Sequence, residues 1–281
     1  MTFSVLQAVY KKDTPDFLND AFQSIANSTL KPDVIILVKD GIITEELEQT
    51  INKWKEKLPL QVVGYDKNMG LAHALNYGLQ FINTELVARM DSDDICFPDR
   101  FEKEISFFKK NPQTDIIGTG ISEFYVDKDK NEFRKIRLYP ETTDNCSKSL
   151  FKGTPLGHPT IMMKTSLLKE FGYHENTSMC EDIDLWFRLI RAGYTIQNLQ
   201  EPLLHFRITD STFKRRSVSK AFSEFKIYWQ NLIAMFGFSP LLIYPIARLM
   251  VRFLPYRLNK KLYFSKARNN LFSQKTIKEN E

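Results

Sequence analysis

Glu85-Leu86-Val87-Ala88-Arg89-Met90-Asp91-Ser92-Asp93-Asp94 is the stretch from which the fold of this chain is read. A short, mostly apolar run with the character of a buried strand ends in a cluster of carboxylates, Asp91, Asp93 and Asp94. So dense a negative charge repels itself unless something positive sits beside it. Aspartates at the carboxyl end of a strand, where open α/β sheets place their ligands, suit a hard divalent cation with oxygen ligands. Such a cation would in turn hold a phosphate.

Upstream, Phe3 to Val9 is an apolar run rich in β formers, and Val34-Ile35-Ile36-Leu37-Val38 is a continuous aliphatic run suited to a strand covered on both faces. Between them, Asp13-Thr14-Pro15 offers a helix start, with Asp13 or Thr14 as the cap and Pro15 in the first turn. Phe17, Leu18, Ala21, Phe22 and Ile25 then recur at helical spacing. A helix over 45–57, a strand over 60–65, a loop at Asn68-Met69-Gly70 and a helix over 71–81 complete a β-α-β-α-β-α-β alternation that closes at Asp91. That order predicts an α/β fold with a mostly parallel central sheet flanked by helices and right-handed crossovers. The carboxyl ends of its strands share one edge, which gives Asp40, Asn68 and Asp91 a common site.

Downstream, Arg100 to Lys110 reads as an amphipathic helix, Asp115 to Gly120 as a strand, and Ile121 to Leu138 as a hairpin with a polar turn. Residues 141–160 are mixed and end in Gly153-Thr154-Pro155-Leu156-Gly157-His158-Pro159-Thr160, a loop kept out of regular structure by its punctuation. A strand over Ile161 to Lys164 and a short helix follow. Glu181-Asp182 then opens a helix whose acidic first turn complements the dipole. Gly193 ends it, and two short strands are expected around Glu201-Pro202.

The 281 residues, 43% hydrophobic and 26% charged, suffice for one large α/β domain with an appendage. The net charge of +5 is unevenly placed. From Phe213 to the end there are 14 Lys+Arg against 3 Asp+Glu, a local +11 that leaves residues 1–212 at −6. Two regions are therefore expected, 1–212 and 213–281. In the second, the apolar run from Leu232 to Ala247 is too short and too interrupted by Gly237, Pro240 and Pro245 for a membrane span. Ile246, Leu249, Met250, Phe253 and Leu254 share a helical face beside Arg248, Arg252 and Arg257, as in an interfacial helix on an anionic membrane surface. Nucleic acid is a poorer partner, because the aromatics accompany long aliphatic runs rather than a compact basic face. Three widely spaced cysteines without a CxxC argue against a disulfide framework or a structural zinc site. The first ten residues read as a strand rather than a signal peptide, and a reducing cytoplasm is the expected compartment.

Asp40-Gly41, Asn68-x-Gly70 before a helix with Asn76 and Gly78, Asp91-Ser92-Asp93-Asp94, and Glu181-Asp182 with Leu185-Trp186-x-Arg188 together resemble the family 2 glycosyltransferases of the GT-A fold. The resemblance covers 3–212 and is strongest to bacterial enzymes of O-antigen, capsule or exopolysaccharide synthesis. It implies an inverting, metal-dependent hexosyl transfer from a UDP-sugar to a hydroxyl of a lipid-linked oligosaccharide, with galactose or an N-acetylhexosamine as the sugar. The place of action would be the inner face of the bacterial cell membrane. Ala8, Tyr10, Asp40, Asn68, Gly70, Asp91 and Arg207 then fall on the nucleotide-sugar side, with Tyr10 stacking on the base, Asp40 accepting from it and Arg207 meeting a phosphate. Asp91, Asp93 and His205 would hold Mn²⁺ or Mg²⁺, which would make UDP a better leaving group. Asp182 matches the catalytic base, and His158, Glu181 and Trp186 the acceptor side. Asp94 is left with a structural task in the loop.

Two other classes share some of these features. A nucleotidyltransferase that makes nucleotide sugars would carry a glycine- and basic-rich loop after the first strand, where Val9-Tyr10-Lys11-Lys12-Asp13 has no glycine. A non-catalytic membrane-associated partner of a polysaccharide assembly would have little reason to keep Asp91, Asp93 and Asp182 together.

Overall fold

A computed structural model describes residues 1–126, 132–177, 180–209, 218–253 and 276–277. β1 (Phe3–Val9), β2 (Val34–Asp40), β3 (Leu60–Tyr65) and β4 (Leu86–Arg89) pair in parallel in the order β4-β1-β2-β3. The linking helices are α1 (Pro15–Ala26), α2 (Glu45–Lys55) and α3 (Leu71–Leu79). These elements follow the alternation expected from the aliphatic runs.

Beyond β4 the sheet changes direction. After the short β5 (Ile95–Cys96) and α4 (Arg100–Lys110), β6 (Ile116–Val126) and β7 (Glu132–Arg137) form an antiparallel hairpin whose turn lies outside the described residues. β8 (Met162–Lys164) bridges the two halves, antiparallel to both β4 and β6. The two short strands expected around Glu201-Pro202 are one strand, β9 (Ile196–Arg207), parallel to β6. Its register slips where Thr119 pairs with Leu199 but Gly120 with Pro202, so the Glu201-Pro202 interruption is absorbed as a bulge. Residues 141–160 contain a helix, α5 (Thr143–Ser149), capped by the Thr142 hydroxyl, and a 3₁₀ turn at His158–Thr160.

Strand residues alternate between two cores, one on each face of the sheet. Val5, Ile35, Leu37 and Ala88 pack with α1, α2 and α4, and Leu6, Ile36, Val38 and Val87 with α3. The second core also takes in α6 (Thr165–Phe171), α7 (Glu181–Arg191) and α8 (Val218–Phe236). Helices cover both faces, the GT-A arrangement expected from the motifs. α8 leads through Gly237, at φ +63°, to α9 (Ile243–Arg252). Tyr228 of α8 is wholly buried edge-on against Phe187 of α7, the ring centroids 5.5 Å apart. No described helix is long and apolar enough to cross a membrane.

Candidate active site

The carboxyl ends of β1, β2 and β4 carry the expected residues. Asp40 ends β2, and its carboxylate is fully engaged by the loop beyond β3. Oδ1 accepts from the Tyr65 hydroxyl (3.0 Å) and the Met69 amide (2.6 Å), and Oδ2 from the Asn68 side chain (2.8 Å) and the Gly70 amide (2.9 Å). Four acceptor positions are thereby filled, so Asp40 shapes the loop rather than presenting a spare oxygen to a base. Burial and the adjacent Asp40 raise the Tyr65 pKa, which keeps the phenol protonated as a donor. Gly41 and Gly70 both have positive φ, and a Cβ on Gly41 would lie 2.6 Å from the Asn68 nitrogen. Ala8 sits in β1 beside Val38, and Tyr10 follows that strand.

At the end of β4, Asp91, Asp93 and Asp94 bring one carboxylate oxygen each to within 4.8 Å of one another. Among the described residues this is the one such grouping, and His205 is not in it. The His205 ring stacks on Phe97 at 4.2 Å, and its Nδ1 lies 3.4 Å from an Arg134 nitrogen. His205 thus stands outside the carboxylate grouping, whose third member is Asp94. Asp94 is fully buried, accepts from the Arg207 amide (2.9 Å) through Oδ1, and has no partner for Oδ2 among the described residues. Burial and the neighbouring aspartates push its pKa well up. Three hard oxygen donors with one buried and unpartnered suit a divalent cation.

Arg207 braces this loop. Its Nε donates to the Asp93 carbonyl (2.9 Å), its Nη2 to Asp20 (3.0 Å), and its guanidinium lies 4.0 Å from the Phe17 ring centroid. Two nitrogens of the residue expected to meet a phosphate are thus engaged within the protein. Asp13 braces the loop from the β1–α1 side, accepting from the Tyr10 amide (3.1 Å) and the Ser92 hydroxyl (3.0 Å). It caps nothing in α1, whose N-cap is Thr14. Burial lifts its pKa to about 7.

Asp182 lies in the first turn of α7, half-buried, next to the buried Glu181. Burial first and Glu181 second push its pKa up to about 7, against the pull of its own and the Ile183 amide and of Arg89. Trp186, one turn on, is wholly buried in the core between α7 and the sheet, so it offers no ring to a sugar. His158 is also buried, its Nε2 2.9 Å from the Tyr173 hydroxyl and its ring edge-on to Trp186. Burial and Arg89 hold its pKa well below the usual imidazole value, so the ring stays neutral.

Arg89 and Tyr173 were not singled out in the sequence, yet both stand between the aspartates and α7. Arg89 is ion-paired with Asp91, and Tyr173 feels the charges of Arg89, Glu181, Asp182 and Asp91. The available signal was a cationic side chain inside an apolar strand. Asn76 of α3 holds Tyr173 by its backbone, donating to the carbonyl and accepting from the amide, both at 2.8 Å.

A family model described as Glycosyl transferase family 2 matches residues 4–172. An "Uncharacterized glycosyltransferase" of Haemophilus influenzae is 36% identical over 94% of this chain and 98% of its own length. A "UDP-Gal:alpha-D-GlcNAc-diphosphoundecaprenol beta-1,3-galactosyltransferase" of Escherichia coli is 34% identical over 93% and 94%. Among solved structures, S. aureus TarS 1-349 in complex with UDP-GlcNAc superposes with a TM-score of 0.61 at 17% identity, covering 97% of this chain and 89% of that one. The last is a likeness of fold.

Proposed function

This chain belongs to glycosyl transferase family 2, and from that premise we propose that it is an inverting transferase acting in surface-polysaccharide synthesis. It moves a hexose, galactose in the first place, from UDP to a hydroxyl of a lipid-linked oligosaccharide. The sugar and acceptor follow the relative of that specificity, which matches this chain over nearly its whole length. The observation that carries the reading is a division of labour among carboxylates. An acidic trio ends β4, and a separate acid with a pKa near neutrality opens α7. Membership of the family sets aside the nucleotidyltransferase alternative.

In this reading Asp91, Asp93 and Asp94 would hold Mn²⁺ or Mg²⁺, which would neutralise charge on the diphosphate. The Asp40-organised loop, with the Asn68 and Gly70 backbone, and Tyr10 form the walls for the nucleoside. The acceptor hydroxyl oxygen forms a bond to the anomeric carbon as the bond to the UDP oxygen breaks, with its electron pair leaving on UDP. The hydroxyl proton passes to Asp182. A base with a pKa of about 7 is partly ionised at neutral pH and strong enough to accept that proton as the attack proceeds. Glu181 keeps the base strong by like-charge repulsion.

An anionic membrane surface is the proposed docking partner. Phe222, Phe238, Ile243, Met250 and Phe253 of the C-terminal hairpin are all more than half exposed, and the Phe222 and Phe253 rings meet at 6.1 Å. Such a set of exposed apolar side chains on a strongly basic segment fits insertion among headgroups close to a lipid-linked acceptor. A panel of UDP- and GDP-sugars, with Mn²⁺, Mg²⁺ or chelator, tests the donor reading. Metal-dependent binding and UDP release with UDP-galactose or UDP-N-acetylhexosamine are expected. Binding of GDP-sugars alone, or equal UDP binding in chelator, would refute the assignment.

A further inference from the structure

Arg100 and Glu104 of α4 take no part in the proposed chemistry, yet both side chains are wholly buried. Phe101, Ile105 and Phe108 form the stripe by which α4 joins the core, and Arg100 and Glu104 lie on the same buried side of the helix. Arg100 Nε donates to Glu104 Oε1 at 3.1 Å, one turn along. Burial lifts the Glu104 pKa to about 7, and Arg100 pulls it back only in part, the mark of charges whose lost hydration is incompletely compensated. Arg100 Nη1 and Glu104 Oε2 are also buried without a hydrogen-bond partner among the described residues. Well-packed apolar side chains of similar volume would serve the core as well or better, so stability does not account for the pair.

What the pair does hold is the base of the loop that carries the aspartates. Arg100 Nη2 donates to the Arg89 carbonyl at 2.9 Å. Arg89 is the last residue of β4 and Arg100 the first of α4, so the chain leaves the strand at one and enters the helix at the other, with Asp91, Asp93 and Asp94 between them. We propose that Arg100 is a positioning residue for the cation, a clasp that closes this loop at its base while Glu104 keeps the guanidinium turned toward Arg89. The inference rests on the reading of Asp91, Asp93 and Asp94 as the cation's ligands. Other bonds act further along the loop. The Asp91 carbonyl accepts from Gln7 Nε2 (3.3 Å), the Ser92 hydroxyl donates to Asp13 (3.0 Å), the Asp93 carbonyl accepts from Arg207 Nε (2.9 Å), and the Cys96 amide donates to the Ser24 hydroxyl (3.1 Å). These tie the loop to its surroundings, whereas the Arg100 bond ties its two ends to each other. A hard cation needs its oxygens at set separations, and carboxylates borne by one loop keep theirs only while the ends of that loop keep their spacing.

Arg100→Met combined with Glu104→Leu removes both charges and the clasp while keeping bulk in the core. The measurements are denaturant unfolding in chelator and the Mn²⁺ concentration that half-saturates UDP binding in calorimetry. The double variant is expected to unfold at a denaturant midpoint equal to or above that of the wild-type protein, because two desolvated charges are gone. Its Mn²⁺ half-saturation is expected to rise about tenfold, the low end of the loss when groups that orient a metal's ligands are removed, with wild-type UDP affinity regained at saturating Mn²⁺. A pair that serves only the core gives the reverse, a lowered midpoint with an unmoved Mn²⁺ requirement. An unmoved Mn²⁺ requirement, or a loss of UDP affinity that saturating Mn²⁺ does not restore, overturns the proposal. Should the double variant fail to fold, Arg100→Lys decides. Its ammonium keeps the charge beside Glu104 but cannot offer separate nitrogens to Glu104 and Arg89, so a rise in Mn²⁺ half-saturation is again expected and a wild-type value overturns the proposal. Failure of the ligand reading is distinguishable. UDP binding by the wild-type protein that is equal in Mn²⁺ and in chelator overturns that reading and this inference with it, whereas a Mn²⁺-dependent wild type with an unshifted variant overturns this inference alone.

Discussion

Asp40 illustrates how a single carboxylate can organise a whole loop at the edge of a candidate site. Its carboxylate receives two backbone amides and two side-chain donors from Tyr65, Asn68, Met69 and Gly70, and so fixes the loop proposed to wall the nucleoside. An amide in its place has one oxygen, and its NH₂ group would point at donors. Asp40→Asn is therefore expected to destabilise the fold by about 1–3 kcal/mol in denaturant unfolding, the cost of leaving buried donors unmatched. It should raise the donor KM more than it lowers kcat. Unchanged stability with a lost nucleotide affinity would instead return Asp40 to direct contact with the base. At this scale the sequence was a partial guide. Asp40, Asn68, Asp91 and Asp93 are legible because acids and Gly-x turns at strand ends are local signals. His205, Trp186 and His158 misled because exposure is not local: whether a ring faces a cleft or a core depends on elements far apart in the chain, here Phe97, Phe187 and Tyr173.

Among the elements, the β-α-β-α-β-α-β half was readable because its strands are short runs rich in aliphatic residues and its helices carry apolar stripes. The second half was less so. β9 pairs with β6 across some eighty positions and carries a bulge at Gly120 opposite Pro202, so its continuity is set by the partner strand and not by its own sequence. α5 escaped notice because only Cys146 of its seven residues is buried, which leaves almost no periodicity to detect. α7 shows the opposite case. Its acidic first turn is ordinary helix-dipole chemistry and its function lies in where it is aimed. Glu181 and Asp182 are held against the sheet by Ile183, Leu185, Trp186, Phe187 and Leu189, all buried, the rigidity that the proposed base role calls for.

At the scale of the whole molecule, the C-terminal hairpin is both a packing partner and a free surface. Arg248 of α9 reaches back to the Lys152 carbonyl (2.9 Å) and pairs with Glu224, and its guanidinium lies 4.9 Å from the Tyr228 ring centroid. Tyr228 in turn feels the charge of Asp182. The hairpin's far side exposes Ile243 at 66% and Met250 at 65%. The division at residue 212 that the charge distribution suggests is, on this reading, a division of task, with residues beyond it bringing the catalytic half to the lipid. Met250→Glu combined with Ile243→Glu is expected to reduce co-sedimentation with phosphatidylglycerol-containing vesicles by tenfold or more, without lowering UDP binding, because both side chains point away from the core. Equal sedimentation by the variant and the wild-type protein would count against membrane docking through this face. The central claim is that Asp182 takes the acceptor's proton, and it is tested most directly by Asp182→Asn. UDP affinity in Mn²⁺ should match the wild-type protein while UDP release in the presence of donor and acceptor falls by a thousandfold or so, in the range of loss for a general base. Turnover within a few-fold of wild type would contradict the account.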